Sequence, residues 1–203
     1  LTEVVARWYD TRESLLEKIK IASLLGTFQA SLTNFHYLRD EWKKNCDLEA
    51  LLGVSITGQK DCPILISNGP LYEELKDAAV RANAKYAPKI GVNQASSVTC
   101  TKPSGTAGIL ATATSGIKYP FSEYYVRRVR FSVTDPLVDL IKKHKLLPID
   151  PEMYQINSGT TLDTMVVSFA MCSPCIQSGW DIDHPDWAPH GDLFNKSAIE
   201  QLE

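Results

Sequence analysis

"TCTKPSGTAGILATA", residues 99–113, decides how this chain is read. A β-branched run stops at Lys-Pro-Ser-Gly-Thr and resumes as small, helix-tolerant residues, so the stretch predicts a strand handing over to a helix. Ser104, Gly105 and Thr106 fall at the handover. The first amides of a helix lack intrahelical partners and carry partial positive charge, and a Ser-Gly-Thr loop adds hydroxyl donors and close backbone approach. Such a junction serves either as a capped turn or as a cradle for an anion such as phosphate. The GxxxxGK[ST] spacing is absent and Lys102 precedes the glycine, which excludes a Walker A loop.

Outward from the junction, strands and helices alternate. Upstream, "LLGVSITG" (51–58) predicts a short strand, and "SNGPLYEELKDAAVRANAKYAP" (67–88) a helix. In that helix Asn68 or Gly69 caps, Pro70 sits in the first turn, Leu71, Leu75, Ala78, Ala79, Ala82 and Tyr86 line one face, and Pro88 closes it. "ASSVTCT" (95–101) reads as a strand. Residues 14–32 predict an earlier helix with Ile21, Leu24, Leu25, Phe28 and Leu32 inward, and the polar, aromatic-studded 33–47 predicts a connection. Downstream, "TAGILATATSG" (106–116) predicts a helix stopped by Gly116. "YYVRRVRFSV" (124–133) predicts a strand with Tyr125, Val129, Phe131 and Val133 on one face and Arg128 and Arg130 on the other. "TDPLVDLIKKHK" (134–145) predicts a capped helix with Leu137, Leu140 and Ile141 inward, and "TLDTMVVSFAM" (161–171) a final strand. The Pro-, Gly-, Asp- and Trp-rich 172–194 reads as a long loop. The alternation predicts an α/β layer architecture.

The 203 residues suit one sizeable domain or part of a larger one. A net charge of −3 with 22% charged residues gives no electrostatic reason to expect nucleic acid or an anionic membrane as partner. No signal pattern or long apolar run occurs, so a cytoplasmic location with reduced thiols is expected for the five cysteines. The chain opens without Met and closes inside a helical pattern, as a piece of a longer polypeptide would.

Other constellations keep their alternatives. Cys172 and Cys175 form one C-x-x-C pair, which serves as half a zinc site, a redox dithiol or incidental thiols; His184 and His190 are loosely placed downstream. Asp181, Asp183, His184 and Asp186 match no metal-binding spacing, and a hydrogen-bonded loop is the plainer reading. Arg127, Arg128 and Arg130 read either as an anion contact or as solvated strand residues. No Gly-x-Ser-x-Gly elbow or dinucleotide fingerprint occurs.

Taken whole, "TCTKPSGTAGILATATSGIKYPFSEYYVRRVRFSVTDPL" (99–137) resembles the adenosylcobalamin-dependent (class II) ribonucleotide reductases, the monomeric ribonucleoside-triphosphate reductases in particular. "LLGTFQASLTNF" and "LLGVSITG" resemble the preceding helix and strand, "MVVSFAM" a following strand and "SAIEQLE" the start of a later helix. The resemblance implies that residues 1–203 are the C-terminal portion of a ten-stranded α/β barrel, truncated at both ends relative to the family. It implies substrate phosphate binding by Lys102, Pro103, Ser104, Gly105 and Thr106. The activity implied is reduction of ribonucleoside di- or triphosphates by radical chemistry, with adenosylcobalamin as cofactor. The implied partners are the remaining part of the reductase chain and a thioredoxin-like reductant. The family's Asn-Pro-Cys-Gly-Glu-like stretch is absent, and none of the five cysteines stands in a matching context. No catalytic residue is therefore carried over, and the segment is expected to be inactive alone. The alternative is a nucleotide- or phosphate-binding module without the radical chemistry.

Overall fold

The computed structural model describes residues 1–66, 68–118 and 122–174, which fall into two compact units. The first, within 1–118, contains β1 (Thr2–Val5), α1 (Arg12–Ala30), α2 (Asp40–Glu49), β2 (Val54–Thr57), α3 (Gly69–Ile90) and α4 (Gly105–Leu110). Two short 3-10 turns, Gln59–Asp61 and Pro63–Leu65, join β2 to α3. β1 and β2 pair in parallel, with Glu3 opposite Ser55 and Val5 opposite Thr57. On the other side of β2, residues 97–100 run parallel to it: Leu52 N–H donates to Ser97 O, Val54 N–H to Val98 O and Cys100 N–H to Val54 O, with one bridge at Val54–Thr99. The expected strand 95–101 is therefore present as a brief parallel run that leaves the sheet as it enters the Lys-Pro-Ser-Gly turn.

α1 and α3 cover one face of this sheet. Val4 and Val54 from the strands pack with Leu15 and Ile19 of α1 and with Leu71, Leu75, Ala78 and Ala79 of α3. α1 begins in a capping box, Thr11 Oγ1 accepting from Ser14 N–H and Ser14 Oγ from Thr11 N–H. Its inward face is the reverse of the expected one. Leu15, Ile19, Ala22, Ser23, Gly26 and Thr27 are buried, whereas Ile21, Leu25, Phe28 and Leu32 are exposed. Close packing selects the small side: against α3, Ser23 Oγ donates to Ala79 O at 2.7 Å and Asn83 Nδ2 to Thr27 Oγ1 at 3.0 Å, and a Cβ on Gly26 would stand 3.2 Å from Leu52, just before β2.

α3 starts as the sequence predicts, with Asn68 Oδ1 accepting from Leu71 N–H. It passes Pro88 and ends at Gly91, whose φ of +84° closes it. Proline in the final turn loses one hydrogen bond near the end, where the helix tolerates it. α2 occupies part of the stretch expected to be a connection; none of its residues is buried, so no apolar periodicity announces it.

The second unit, Ser122–Ser173, is an antiparallel sheet of β3 (Tyr124–Ser132), β4 (Ile149–Pro151) and β5 (Thr164–Cys172), ordered β3-β5-β4, with α5 (Pro136–His144) and α6 (Met153–Ser158). β3 alternates as expected: Tyr125, Val129 and Phe131 are half-buried, and Arg128 and Arg130 are exposed, Arg130 pairing with Glu152. Asp135 caps α5 by accepting from Leu137 N–H at 2.9 Å. The buried positions of α5 are Val138 and Ile141; Leu137 and Leu140, expected inward, face solvent.

The chain is thus mixed α/β. Among the described residues no helix is long and apolar enough to cross a membrane.

Candidate functional site

Three segments of the first unit meet at the C-terminal end of β2: residues 57–61, the 102–108 turn and the 111–116 loop. Thr57 Oγ1 lies 3.0 Å from Ser104 Oγ and 3.1 Å from Thr114 O, and accepts from Gly116 N–H at 3.0 Å. Ser104 Oγ is 3.2 Å from Ser115 Oγ, which donates in turn to Pro103 O. Three hydroxyls therefore tie the turn to the strand. The Ser104 hydroxyl, expected to face a ligand, is spent on this scaffold.

The 111–116 loop is pinned from two further directions. Asp61 is 5% exposed; its Oδ2 accepts from Thr114 N–H at 2.6 Å, and its Oδ1 from the Thr114 hydroxyl at 2.5 Å. Burial pushes the Asp61 carboxyl above the usual carboxylate range, against the Thr114 hydrogen bonds and the Arg7 charge. The Arg7 guanidinium donates to Thr112 O at 2.9 Å and to Ala111 O. Gly58 N–H donates to Thr114 O at 2.8 Å. These bonds end α4 at Leu110, earlier than the expected helix through 116. Gly116, with φ of +55°, hydrogen-bonds Thr57 instead of stopping a helix.

The turn itself runs through two consecutive left-handed residues, Ser104 (φ +47°) and Gly105 (φ +51°), with Gly105 N–H on Pro103 O and Ala107 N–H on Ser104 O. Its two glycines differ. A Cβ on Gly108 would stand 2.7 Å from Ser104 Oγ, so that position is packed from beneath. A Cβ on Gly105 would meet nothing within 4 Å among the described residues, and Gly105 is exposed. Among the described residues the corner is open over the backbone of Gly105.

Of the residues the sequence singles out, Ser104 and Gly105 form the corner; Pro103 is exposed and lends its carbonyl, and Thr106 lies in the first turn of α4. Lys102 points back along the sheet, its Nζ 3.7 Å from Glu3 Oε2. Sequence reading missed Glu3, Arg7, Thr57 and Asp61. The alternation of β2 carried a signal, since it puts Ser55 and Thr57 together on the face away from Val54 and Ile56.

The cysteines gather nowhere among the described residues. Cys62 is fully buried, and burial, with the Asp10 charge second, pushes its thiol up to about 12, far from thiolate chemistry. Cys46, Cys100 and Cys172 are free thiols. Cys175, His184, His190 and the aspartates of 181–186 lie outside the described residues. Among the described residues no three His, Cys, Asp or Glu side chains could hold a metal ion.

No family model matches the chain. Curated relatives do. The adenosylcobalamin-dependent ribonucleoside-triphosphate reductase of Lactobacillus leichmannii is 35% identical over 72 residues, 36% of this chain and 10% of that protein. The protein of the same name from Levilactobacillus brevis is 31% identical over 131 residues, 64% of this chain and 15% of the relative. A Dictyostelium discoideum protein, named as a probable reductase of this kind, is 30% identical over 151 residues, 68% and 18% of the two lengths. Among solved structures, a B-12 dependent (class II) ribonucleotide reductase superposes with a TM-score of 0.63 and 21% identity, covering 88% of this chain and 26% of the other. The chain is therefore similar, over a segment, to adenosylcobalamin-dependent class II ribonucleotide reductases, and it spans 9–18% of the length of the curated relatives it matches.

Proposed function

We propose that this chain is the phosphate-holding segment of a class II ribonucleotide reductase barrel, with Lys102, Pro103, Ser104, Gly105 and Thr106 forming the turn that receives the substrate's phosphates. The observation that carries the reading is the corner at Gly105. Two left-handed residues in succession turn the backbone sharply, hydroxyl bonds from Thr57 and Ser115 fix it from below, and among the described residues nothing stands within 4 Å of where a Gly105 Cβ would lie. A concave run of backbone with fixed dipoles and no overlying side chain suits an anion, and Lys102 supplies a cation two residues before Ser104. The similarity to triphosphate reductases points to a ribonucleoside di- or triphosphate as that anion.

In this reading the chain's own residues bind and orient. Holding the phosphates fixes where the sugar lies, which turns an encounter into a positioned reaction. Thr57, Ser115 and Asp61 act through the turn, keeping its backbone in place while the ligand exchanges. The radical chemistry belongs to the complete reductase and its adenosylcobalamin. In this reading the cofactor's place and the thiyl cysteine belong to the remaining part of the reductase chain, and electrons come from a thioredoxin-like reductant. The proposed location is cytoplasmic.

Complementation tests the proposal. This chain is mixed with a polypeptide carrying the missing barrel portion, adenosylcobalamin and a dithiol, and deoxyribonucleotide formation is followed by chromatography. Reduction that needs both polypeptides is the expected result. Nucleotide binding without reduction, under conditions where the full-length reductase turns over, would place the chain among non-catalytic binding modules.

A further inference from the structure

The sheet formed by β1 and β2 has a second face, opposite α1 and α3, on which polar residues stand beside Val5. Because strand side chains alternate, Glu3 and Ser55 share that face with Thr57, and the register puts Glu3 directly across from Ser55. Ser55 is 4% exposed and the Glu3 side chain 11%. Glu3 Oε1 and Ser55 Oγ are nonetheless both without a hydrogen-bond partner among the described residues. An unmade hydrogen bond at a buried oxygen costs on the order of 1–3 kcal/mol, more for a carboxylate, so two such atoms at paired register positions ask for an explanation.

The charge of Glu3 is already met by Lys102 Nζ, 3.7 Å from Oε2. What Oε1 lacks is a donor without charge. What Ser55 lacks is a partner of either kind. A single ligand hydroxyl satisfies both, donating to Glu3 Oε1 and accepting from Ser55 Oγ. The position is set as well. Thr57, which holds Ser104, lies two residues further along the same face, about 6–7 Å at the usual strand rise. Lys102 spans the interval between Glu3 and the turn.

We propose that Glu3 and Ser55 form a hydroxyl-recognising subsite that continues the Gly105 turn, so that the chain selects a phosphate ester bearing a sugar hydroxyl over a bare polyphosphate. The subsite rests on the reading of the turn as a phosphate cradle. The two oxygens of Glu3 act separately, one positioning Lys102 and the other taking the hydroxyl. Ligand binding draws Lys102 toward the phosphates, and the sugar enters the space that its side chain covers.

Two probes separate the subsite from the cradle. Calorimetric titration of the full chain uses cytidine triphosphate and, in parallel, inorganic tripolyphosphate. For Ser55→Ala the expected result is about three- to tenfold weaker cytidine triphosphate binding, one hydrogen bond's worth, with tripolyphosphate unchanged. For Glu3→Gln the nucleotide weakens about tenfold or more, while tripolyphosphate stays the same or binds tighter, because a negative charge has been removed beside Lys102. Equal changes for both probes, or no change for the nucleotide, overturn the subsite and leave the cradle standing. Failure of the unmutated chain to bind either probe overturns the cradle, and the subsite with it. Circular dichroism of each variant establishes that the fold is retained.

Discussion

On the side of the β1–β2 sheet that α1 and α3 cover, Val4 and Val54 are closed off in a continuous apolar core. On the opposite side, Glu3, Ser55 and Thr57 stand beside Val5, and the groups the polar three meet include Lys102 and the Ser104 turn. The same two strands thus serve two purposes, and alternation of side chains keeps them apart. The covered face holds the unit together through buried area; the polar face holds polar atoms at set positions, at some cost in unmade hydrogen bonds. Stability and recognition should therefore respond to different mutations.

The largest stability loss is expected on the covered face. Leu75, 1% exposed in the middle of α3, touches the core shared by both helices and the sheet. Leu75→Ala should cost about 2–5 kcal/mol in urea unfolding. A loss under about 1 kcal/mol would mean that α3 does not carry the core.

A smaller loss is expected where the polar face is anchored. Asp61→Ala leaves the buried Thr114 N–H without its acceptor and should cost about 1–3 kcal/mol. Asp61→Asn keeps an acceptor of the same shape and should stay within about 1 kcal/mol of the parent. Because the Asp61 carboxyl is raised, the folded chain takes up its proton more readily than the unfolded chain. Its contribution to stability is then fully present below about 3.9, the unfolded value, and is lost as pH rises through the higher folded value. Asp61→Asn, neutral at every pH, should flatten that part of the stability–pH curve. An Asn variant that keeps the parent's slope just above the unfolded value would contradict the assignment.

The smallest effect is expected at Phe28, on the face of α1 that points to solvent. Phe28→Ser should change stability by no more than about 0.5 kcal/mol. A core-sized loss would restore the inward face that hydrophobic spacing alone suggests.

That last contrast shows where sequence reading works and where it stops. The strand β3 was legible because its alternation survives in the structure, Arg128 and Arg130 outward against Tyr125, Val129 and Phe131. The start of α3 was legible from Asn68 and Pro70, local chemistry that needs no partner element. α1 was legible as a helix but not in its orientation, because Ser23, Gly26 and Thr27 are small or polar and score as outward until a neighbouring helix comes close enough to need them. The length of α4 was hidden for a similar reason. Residues 106–116 favour a helix locally, and bonds from Thr57, Gly58 and Asp61, far upstream in the chain, end it early. The Lys-Pro-Ser-Gly-Thr turn could be found from its residue types. That the Ser104 hydroxyl points into Thr57 and Ser115, and that Lys102 lies on Glu3, depends on which strands become neighbours.

A titration of the 15N-labelled full chain with inorganic tripolyphosphate, followed by amide chemical shifts, tests the phosphate cradle most directly. The shifts should be largest at Gly105 and Ala107, saturate together, and weaken as salt is raised. Shifts that spread over surface lysines while Gly105 and its neighbours stay still would contradict the assignment of the turn as the anion site.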